Sequence, residues 1–218
     1  MKILIDNGHG KNTPGKRSPD GKFREYLYAR EIAEAIEGEL KFLGLDAERI
    51  VTETEDISLE ERARRVNEIC GRLGAENVVL VSIHCNASKN GEWGKARGWS
   101  AYTSKGKTKS DELATMLYVE AAKNFAGQTL RKEFSDGDPD WEEGFYGIYR
   151  FFYLHNRRRS PFHVFVFSCA DHSQNCRAVS RSFFHAKRRY GYPQHVSNNF
   201  LPNFALCATA ANFRLFDC

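Results

Sequence analysis

The chain has 218 residues, which is long enough to bury a sizeable core, most simply in one domain. Hydrophobic residues make up 41% of it and charged residues 28%, a composition typical of a globular protein. No apolar run approaches the roughly 18 residues that a membrane span needs. No charged and apolar leader precedes the first predicted strand, so we expect synthesis in the cytoplasm without a signal peptide. None of the six cysteines forms a Cys-x-x-Cys motif, and we expect reduced thiols.

The net charge of +4 hides a sharp change in composition near residue 150. Residues 1–150 hold 23 basic and 26 acidic residues, whereas residues 151–218 hold 9 and 2. The second part has no Glu and carries 11 of the 16 Phe. We therefore predict a folded domain over 1–150 and a divergent or frame-shifted tail over 151–218.

The first predicted element is a short strand over Lys2–Asp6, which runs into Asn7-Gly8-His9-Gly10. A Gly- and Pro-rich loop follows, and then apolar residues at helical spacing predict a helix from Glu25 to Leu43. A strand over 48–52 precedes a second helix, which a capping box of Ser58 and Glu61 opens.

The continuous apolar run over 77–84 predicts a buried strand that ends at His84. Further along, the sequence predicts strands over 98–103, 129–134 and 163–168, and a helix that begins at Ser110. Alternating strands and helices indicate an α/β fold: a twisted, mostly parallel sheet flanked by helices, with an atypical C-terminal tail.

Two histidines stand where predicted strands end, His9 after the first and His84 at the end of another. In open α/β sheets, ligands bind beyond the carboxyl ends of the strands, so both imidazoles could converge there. Glu25 opens the first helix, where an acidic residue is common simply because the helix dipole favours it. Either His alone could simply bond to backbone. Together, however, two imidazoles and a carboxylate form the ligand set of a catalytic Zn2+ (zinc) site with an open fourth position.

Three segments resemble, in order, the metal-binding motifs of the zinc-dependent N-acetylmuramoyl-L-alanine amidases. They are Ile3-Leu-Ile-Asp-Asn-Gly-His9-Gly, Arg24-Glu25-Tyr26 and Ser82-Ile-His84-Cys-Asn86-Ala. The resemblance covers residues 1–148 and is greatest to phage- or prophage-encoded members. It implies His9, Glu25 and His84 as zinc ligands, and peptidoglycan or muropeptides as partners. The implied reaction is hydrolysis between the lactyl group of muramic acid and L-alanine, at the cell wall after release by lysis or another route.

The resemblance also implies a general-base Glu on a late strand, within a motif similar to Thr-Glu-Asn. No Glu occurs after Glu143, and Glu142 and Glu143 lie beside a predicted turn rather than in that motif. Asp171 and Asp217, the acids of the tail, lack the motif as well. We therefore expect impaired activity, and a reading-frame change near residues 144–150 would explain the loss. The alternative is a genuine but divergent tail.

Other functions remain open from the sequence: a catalytically inactive binder of cell wall or muropeptides, or a zinc hydrolase of another amide. We expect no nucleic-acid partner, because the short basic runs of the tail lack a repeated pattern.

Asn86 could bind substrate or stabilise a turn. Trp93 and Trp99 could line a glycan groove, although Trp99 could equally lie in the core. Cys85 is predicted to point away from the site and to pack as a small hydrophobe.

Overall fold

The structure is a computed structural model that describes residues 1–85, 92–93, 98–124 and 129–142, together with the backbone of 162–169. It contains three α-helices and six strands within these ranges, and a short 3-10 turn over Ala75–Asn77. The helices are α1 (Glu25–Phe42), α2 (Leu59–Leu73) and α3 (Lys109–Asn124). The strands are β1 (Lys2–Asn7), β2 (Asp46–Arg49), β3 (Val78–Cys85), β4 (Gly98–Thr103), β5 (Trp141–Glu142) and β6 (Phe162–Cys169).

The six strands form one sheet in the order β2-β1-β3-β6-β4-β5. The pairs β2–β1, β1–β3, β3–β6 and β4–β5 are parallel, and only β4 and β6 run antiparallel. The predicted α/β class with a mostly parallel sheet is therefore confirmed. Because β1, β3 and β6 run in the same direction, their carboxyl ends meet at one edge of the sheet.

Helices cover both faces of this sheet, and the alternation of side chains along each strand decides which face each residue joins. On β1, Ile3 and Ile5 pack against the apolar stripe of α1, whereas Leu4 packs with α2 on the opposite face. On β3, Val81 belongs to a cluster that includes residues of α3. Buried strands with both faces covered explain the continuous apolar runs in the sequence.

The sequence signals at the helix ends are largely confirmed. Ser58 caps α2 by accepting a hydrogen bond from the backbone N–H of Glu61 at 3.2 Å. Gly44 follows α1 with a φ of 78°, a backbone conformation that favours glycine. No helix in the described ranges combines the length and the apolar character that crossing a membrane requires.

Two predicted strands are wrong in position or extent. The strand predicted over 48–52 lies over Asp46–Arg49, where its residues pair in order with Lys2–Ile5 of β1 and Ala47 lies beside Ile3. The strand predicted over 129–134 is reduced to one bridge between Leu130 and Trp99. There the carbonyl oxygen of Arg131 accepts from the hydroxyl of Tyr118 and the indole of Trp141, so it is not available to a longer ladder.

The segment after residue 150 contributes one element to the described fold. β6 lies between β3 and β4 and pairs with both over most of its length. The predicted strand over 163–168 is thus confirmed. The division into a domain over 1–150 and a tail over 151–218, and the frame-change hypothesis, stay predictions.

Candidate metal centre

His9 reaches the carboxyl edge of the sheet through a tightly built loop. The backbone N–H of Gly8 donates to the carbonyl oxygen of Ile83 at 3.0 Å, which extends the β1–β3 pairing by one residue. His9 then adopts a φ of 62°, in the left-handed region that non-glycine residues seldom enter. This turn ends the strand and leaves the imidazole at the edge, with 18% of its side chain exposed.

Glu25 is the first residue of α1, and the preceding loop fixes its position. A turn over residues 18–21 and a bridge between Arg17 and Arg24 fold this loop back on itself. The backbone N–H of Glu25 donates to the carbonyl oxygen of Lys16 at 3.1 Å. The side chain is buried, and its Oε1 accepts from the backbone N–H of Cys85 at 2.8 Å. The carboxylate is therefore held between α1 and the end of β3.

His84 lies near the end of β3 and completes the cluster. Its Nδ1 lies 3.3 Å from Glu25 Oε1, and Nε2 of His9 lies 3.4 Å from the same oxygen. The two imidazole rings meet edge to face, with centroids 5.0 Å apart and planes inclined at 82°. The structure thus brings together all three residues that the sequence singled out as metal ligands.

The electrostatics of the site favour an ionised carboxylate. Burial by itself would raise the pKa of Glu25, but hydrogen bonds and charge interactions with His84 and His9 outweigh it and lower the pKa far below its usual value. A buried carboxylate that stays charged beside two imidazoles is a set of donors suited to a cation.

The two donor distances to Glu25 suit one tetrahedral metal ion. One donor atom from each of the three residues lies within 4.8 Å of the other two. Zinc–ligand bonds of about 2.0–2.2 Å place tetrahedral donors roughly 3.3–3.6 Å apart. The two distances to Glu25 Oε1, 3.3 and 3.4 Å, fall within that range or at its edge.

Two arginines behind the loop were missed by the sequence reasoning. Arg30 Nη1 and Arg62 Nη2 donate to the carbonyl oxygen of His9 at 2.9 and 3.3 Å. A signal was present for Arg62, which precedes Val66 and Cys70 at intervals of four residues on the buried stripe of α2. An arginine on a buried stripe needs several acceptors. Here they include Asp6 Oδ1 and the carbonyl oxygens of Asn7 and His9.

The remaining predicted residues have different outcomes. Trp99 lies in the core, 5% exposed, with its ring at 82° to that of Tyr118, so of the two alternatives the core position is correct. Trp93 is exposed. Cys85 and Cys70 are free thiols. Asn86, Glu143, Asp171 and Asp217 lie outside the described residues, as does the side chain of Glu142.

Comparison with known protein families decides the assignment. The sequence model of the Amidase_3 family, N-acetylmuramoyl-L-alanine amidase, matches residues 3–175. The chain belongs to this amidase family. The matched range extends beyond residues 1–148, over which the motifs were recognised, and it includes β6. Enzymes of the family are generally metal-dependent, and the His9–Glu25–His84 cluster could bind such a metal.

Solved structures of amidases share the fold at low sequence identity. The catalytic domain of CwlV from Bacillus (Paenibacillus) polymyxa var. colistinus is 18% identical with a TM-score of 0.56, and the similarity covers 98% of this chain and 96% of that one. Ami1 from Mycobacterium smegmatis is 13% identical with a TM-score of 0.62, over 99% and 96%. The amidase from Clostridium difficile 630 is 20% identical with a TM-score of 0.57, over 98% and 94%. A search of curated proteins finds no match.

Proposed function

We propose that this amidase holds one zinc ion with His9, Glu25 and His84 and hydrolyses the amide between N-acetylmuramic acid and L-alanine in peptidoglycan. The observation that carries the proposal is the position of Glu25 Oε1, 3.4 Å from Nε2 of His9 and 3.3 Å from Nδ1 of His84. Membership of the amidase family supplies the substrate class.

The chain's own residues would bind the metal ion and set the net charge of the site. Two neutral imidazoles and one carboxylate leave a site with a net positive charge when a divalent ion is bound, and three protein ligands leave a fourth position open. A bound zinc ion supplies Lewis-acid chemistry, because it acidifies a water molecule and polarises a carbonyl. The hydrogen bond from Cys85 N–H holds Oε1 of Glu25, which fixes the carboxylate relative to both rings.

The proposal includes a reduced rate. The family resemblance calls for a general-base Glu on a late strand, and β6, the late strand beside β3, reads Phe-His-Val-Phe-Val-Phe-Ser-Cys without any carboxylate. A general base takes a proton from the attacking water and passes it to the leaving amine. Such assistance is typically worth about 10²–10⁴-fold, so we expect turnover lower than that of a complete amidase by a factor in this range.

The test is zymography on purified cell wall with zinc added, with His84→Ala as the matched variant. We expect weak clearing by the parent chain, its loss after chelation, its return on adding zinc, and none with H84A. The soluble products should carry new L-alanine amino termini. New amino termini of another residue would indicate a different amide as substrate, and equal clearing by H84A would contradict the proposed site.

The absence of a carboxylate from β6 also favours a second candidate, a cell-wall binder that keeps the zinc cleft without turnover. This candidate predicts that the parent sediments with insoluble peptidoglycan in zinc but releases no products after long incubation. The amidase proposal predicts product release that rises linearly with enzyme concentration. The proposal has two further parts. The enzyme acts on the cell wall after lysis or another route releases it, and the chain is of the phage or prophage type.

A further inference from the structure

The carbonyl oxygen of His9 accepts hydrogen bonds from two guanidinium groups on two helices. Arg30, in the second turn of α1, donates from Nη1 at 2.9 Å, and Arg62, near the start of α2, donates from Nη2 at 3.3 Å. A carbonyl oxygen has two lone pairs, so these two donors satisfy it completely. The peptide that follows His9 is therefore fixed from both sides.

The hydrogen bonds to the His9 carbonyl matter because of the backbone conformation of His9. Its φ of 62° lies in a region that few non-glycine residues adopt, so neighbouring groups must hold it there. A rotation of the following peptide would change the backbone at His9 and move the imidazole away from Glu25. The two arginines oppose that rotation because each would lose its hydrogen bond to the His9 carbonyl oxygen.

The two arginines differ in what else they hold. Arg62 is 2% exposed and donates to Asp6 Oδ1 and to the carbonyl oxygens of Asn7 and Ile57. Asp6 in turn accepts from the hydroxyl of Ser82 on β3. Replacing Arg62 would leave a buried carboxylate without its cation, so its loss would damage the fold itself.

Arg30 is the cleaner positioning residue. Its hydrogen-bond acceptors are all backbone carbonyl oxygens: that of His9, that of Tyr26 at 3.2 Å, and that of Glu53 at 3.1 Å from Nε and 2.7 Å from Nη2. It lies over the ring of Tyr26, with Cζ 5.5 Å from the centroid. Its hydrogen bonds therefore tie the loop after β1 to the segment after β2, and none of them goes to a carboxylate.

We propose that Arg30 is a positioning residue for the metal site, which holds the His9 peptide so that the imidazole stays aligned with Glu25 and His84. This inference rests on the metal site proposed above. Partners outside the ligand shell typically change metal affinity by about 10–100-fold when removed. Arg30 is expected to fall in that range, because it restrains the backbone of one of three ligands.

The experiment compares Arg30→Met and Arg30→Lys with Arg49→Met as the matched control. Arg49 is also a partly buried arginine, but its guanidinium bonds to Glu37 Oε2 at 2.6 Å, away from the cluster. The zinc dissociation constant is measured by competition with a chromogenic chelator. The melting temperature of each metal-free protein, measured in EDTA, reports the structural cost separately.

We expect R30M to weaken zinc binding about 10–100-fold. R30K should recover only part of the affinity, since one ammonium cannot reproduce the planar fork that spans Glu53 and His9. R49M should bind zinc as the parent does. Parent-like zinc affinity in R30M would overturn the inference. If R30M does not fold, parent-like affinity in R30K would overturn it instead.

The same titration separates this inference from the proposed function. A parent chain that binds no zinc, or an H84A variant that binds it equally well, would overturn the metal site and the role of Arg30 together. Zinc binding that H84A abolishes and R30M leaves unchanged would overturn the role of Arg30 alone.

Discussion

Gly8 lies so close to His84 that a β-carbon at position 8 would be 2.3 Å from Cε1 and 2.4 Å from Nδ1 of the imidazole. Real β-carbons essentially never approach another heavy atom that closely, so any side chain here would displace the ring. Nδ1 is the atom that faces Glu25. Gly8, which precedes His9, therefore leaves the space that the ring of His84 occupies.

We expect Gly8→Ala to weaken zinc binding by at least about tenfold, as other changes behind metal ligands do. The added methyl group should also cost about 1–3 kcal/mol of stability through overpacking. A chelator competition assay and urea unfolding of the metal-free protein measure the two effects separately.

Gly38→Ala is the matched control for this substitution. Position 38 lies within α1, and a β-carbon there would meet nothing within 4 Å. Alanine should stabilise the helix by up to about 1 kcal/mol and leave zinc affinity unchanged. Parent-like zinc binding by G8A would show that the ring has room to move and that the contact does not matter for the site.

Asp140 lies at the end of the sheet opposite the two histidines, and its ionisation should make the stability of the protein depend on pH. It is 1% exposed, and its Oδ2 accepts from the hydroxyl of Thr103. Burial, followed by the neighbouring carboxyl of Asp138, raises the pKa of Asp140 to about 8. The folded state therefore favours the protonated carboxyl, and the stability that this group contributes is complete below about pH 4 and is lost as the pH rises through about 8.

Asp140→Asn should flatten this dependence, because the amide does not ionise. We expect the melting temperature of the parent in EDTA to fall relative to that of D140N between about pH 5 and pH 9. The difference between the two proteins cancels the titrating groups that do not interact with Asp140. A constant difference across this interval would contradict the prediction.

Tyr118 joins three parts of the chain through its hydroxyl. It accepts from the backbone N–H of Ala101 at 3.1 Å and donates to the carbonyl oxygen of Arg131 at 2.6 Å. Tyr118→Phe keeps the ring against Trp99 but leaves the Ala101 N–H without this acceptor, whereas the carbonyl oxygen of Arg131 still accepts from the indole of Trp141. Unsatisfied buried polar groups cost about 1–3 kcal/mol, and urea unfolding should show a loss in this range. A loss below about 0.5 kcal/mol would mean that water replaces the hydroxyl.

The convergence of the three candidate ligands could be predicted only in part from local patterns. His9 and His84 follow apolar strands, so the rule for strand ends in α/β sheets places them together. Glu25 is joined to them mainly by the resemblance of its motif, because an acidic residue in the first turn of a helix is common on its own. The order of the first five elements follows from the same periodicities. These features depend on sequence within a few residues of each site.

The parts that could not be predicted depend on contacts between distant segments. The register of β2 is set by Ala47 beside Ile3, which no local pattern specifies. The hydrogen bonds of Arg30 and Arg62 to the His9 carbonyl join residues 21 and 53 positions apart in the sequence. Likewise, the sequence predicts only a turn over 136–140, whereas the structure shows that Asp140, its last residue, is buried.

The most direct test of the account is the number of zinc ions that the chain binds, measured by equilibrium dialysis and elemental analysis for the parent and for His9→Ala, Glu25→Gln and His84→Ala. The account predicts close to one zinc per parent chain and a large loss of affinity in each variant, with far-ultraviolet circular dichroism unchanged. One zinc per chain retained with parent affinity in all three variants would contradict it, because the metal would then lie elsewhere.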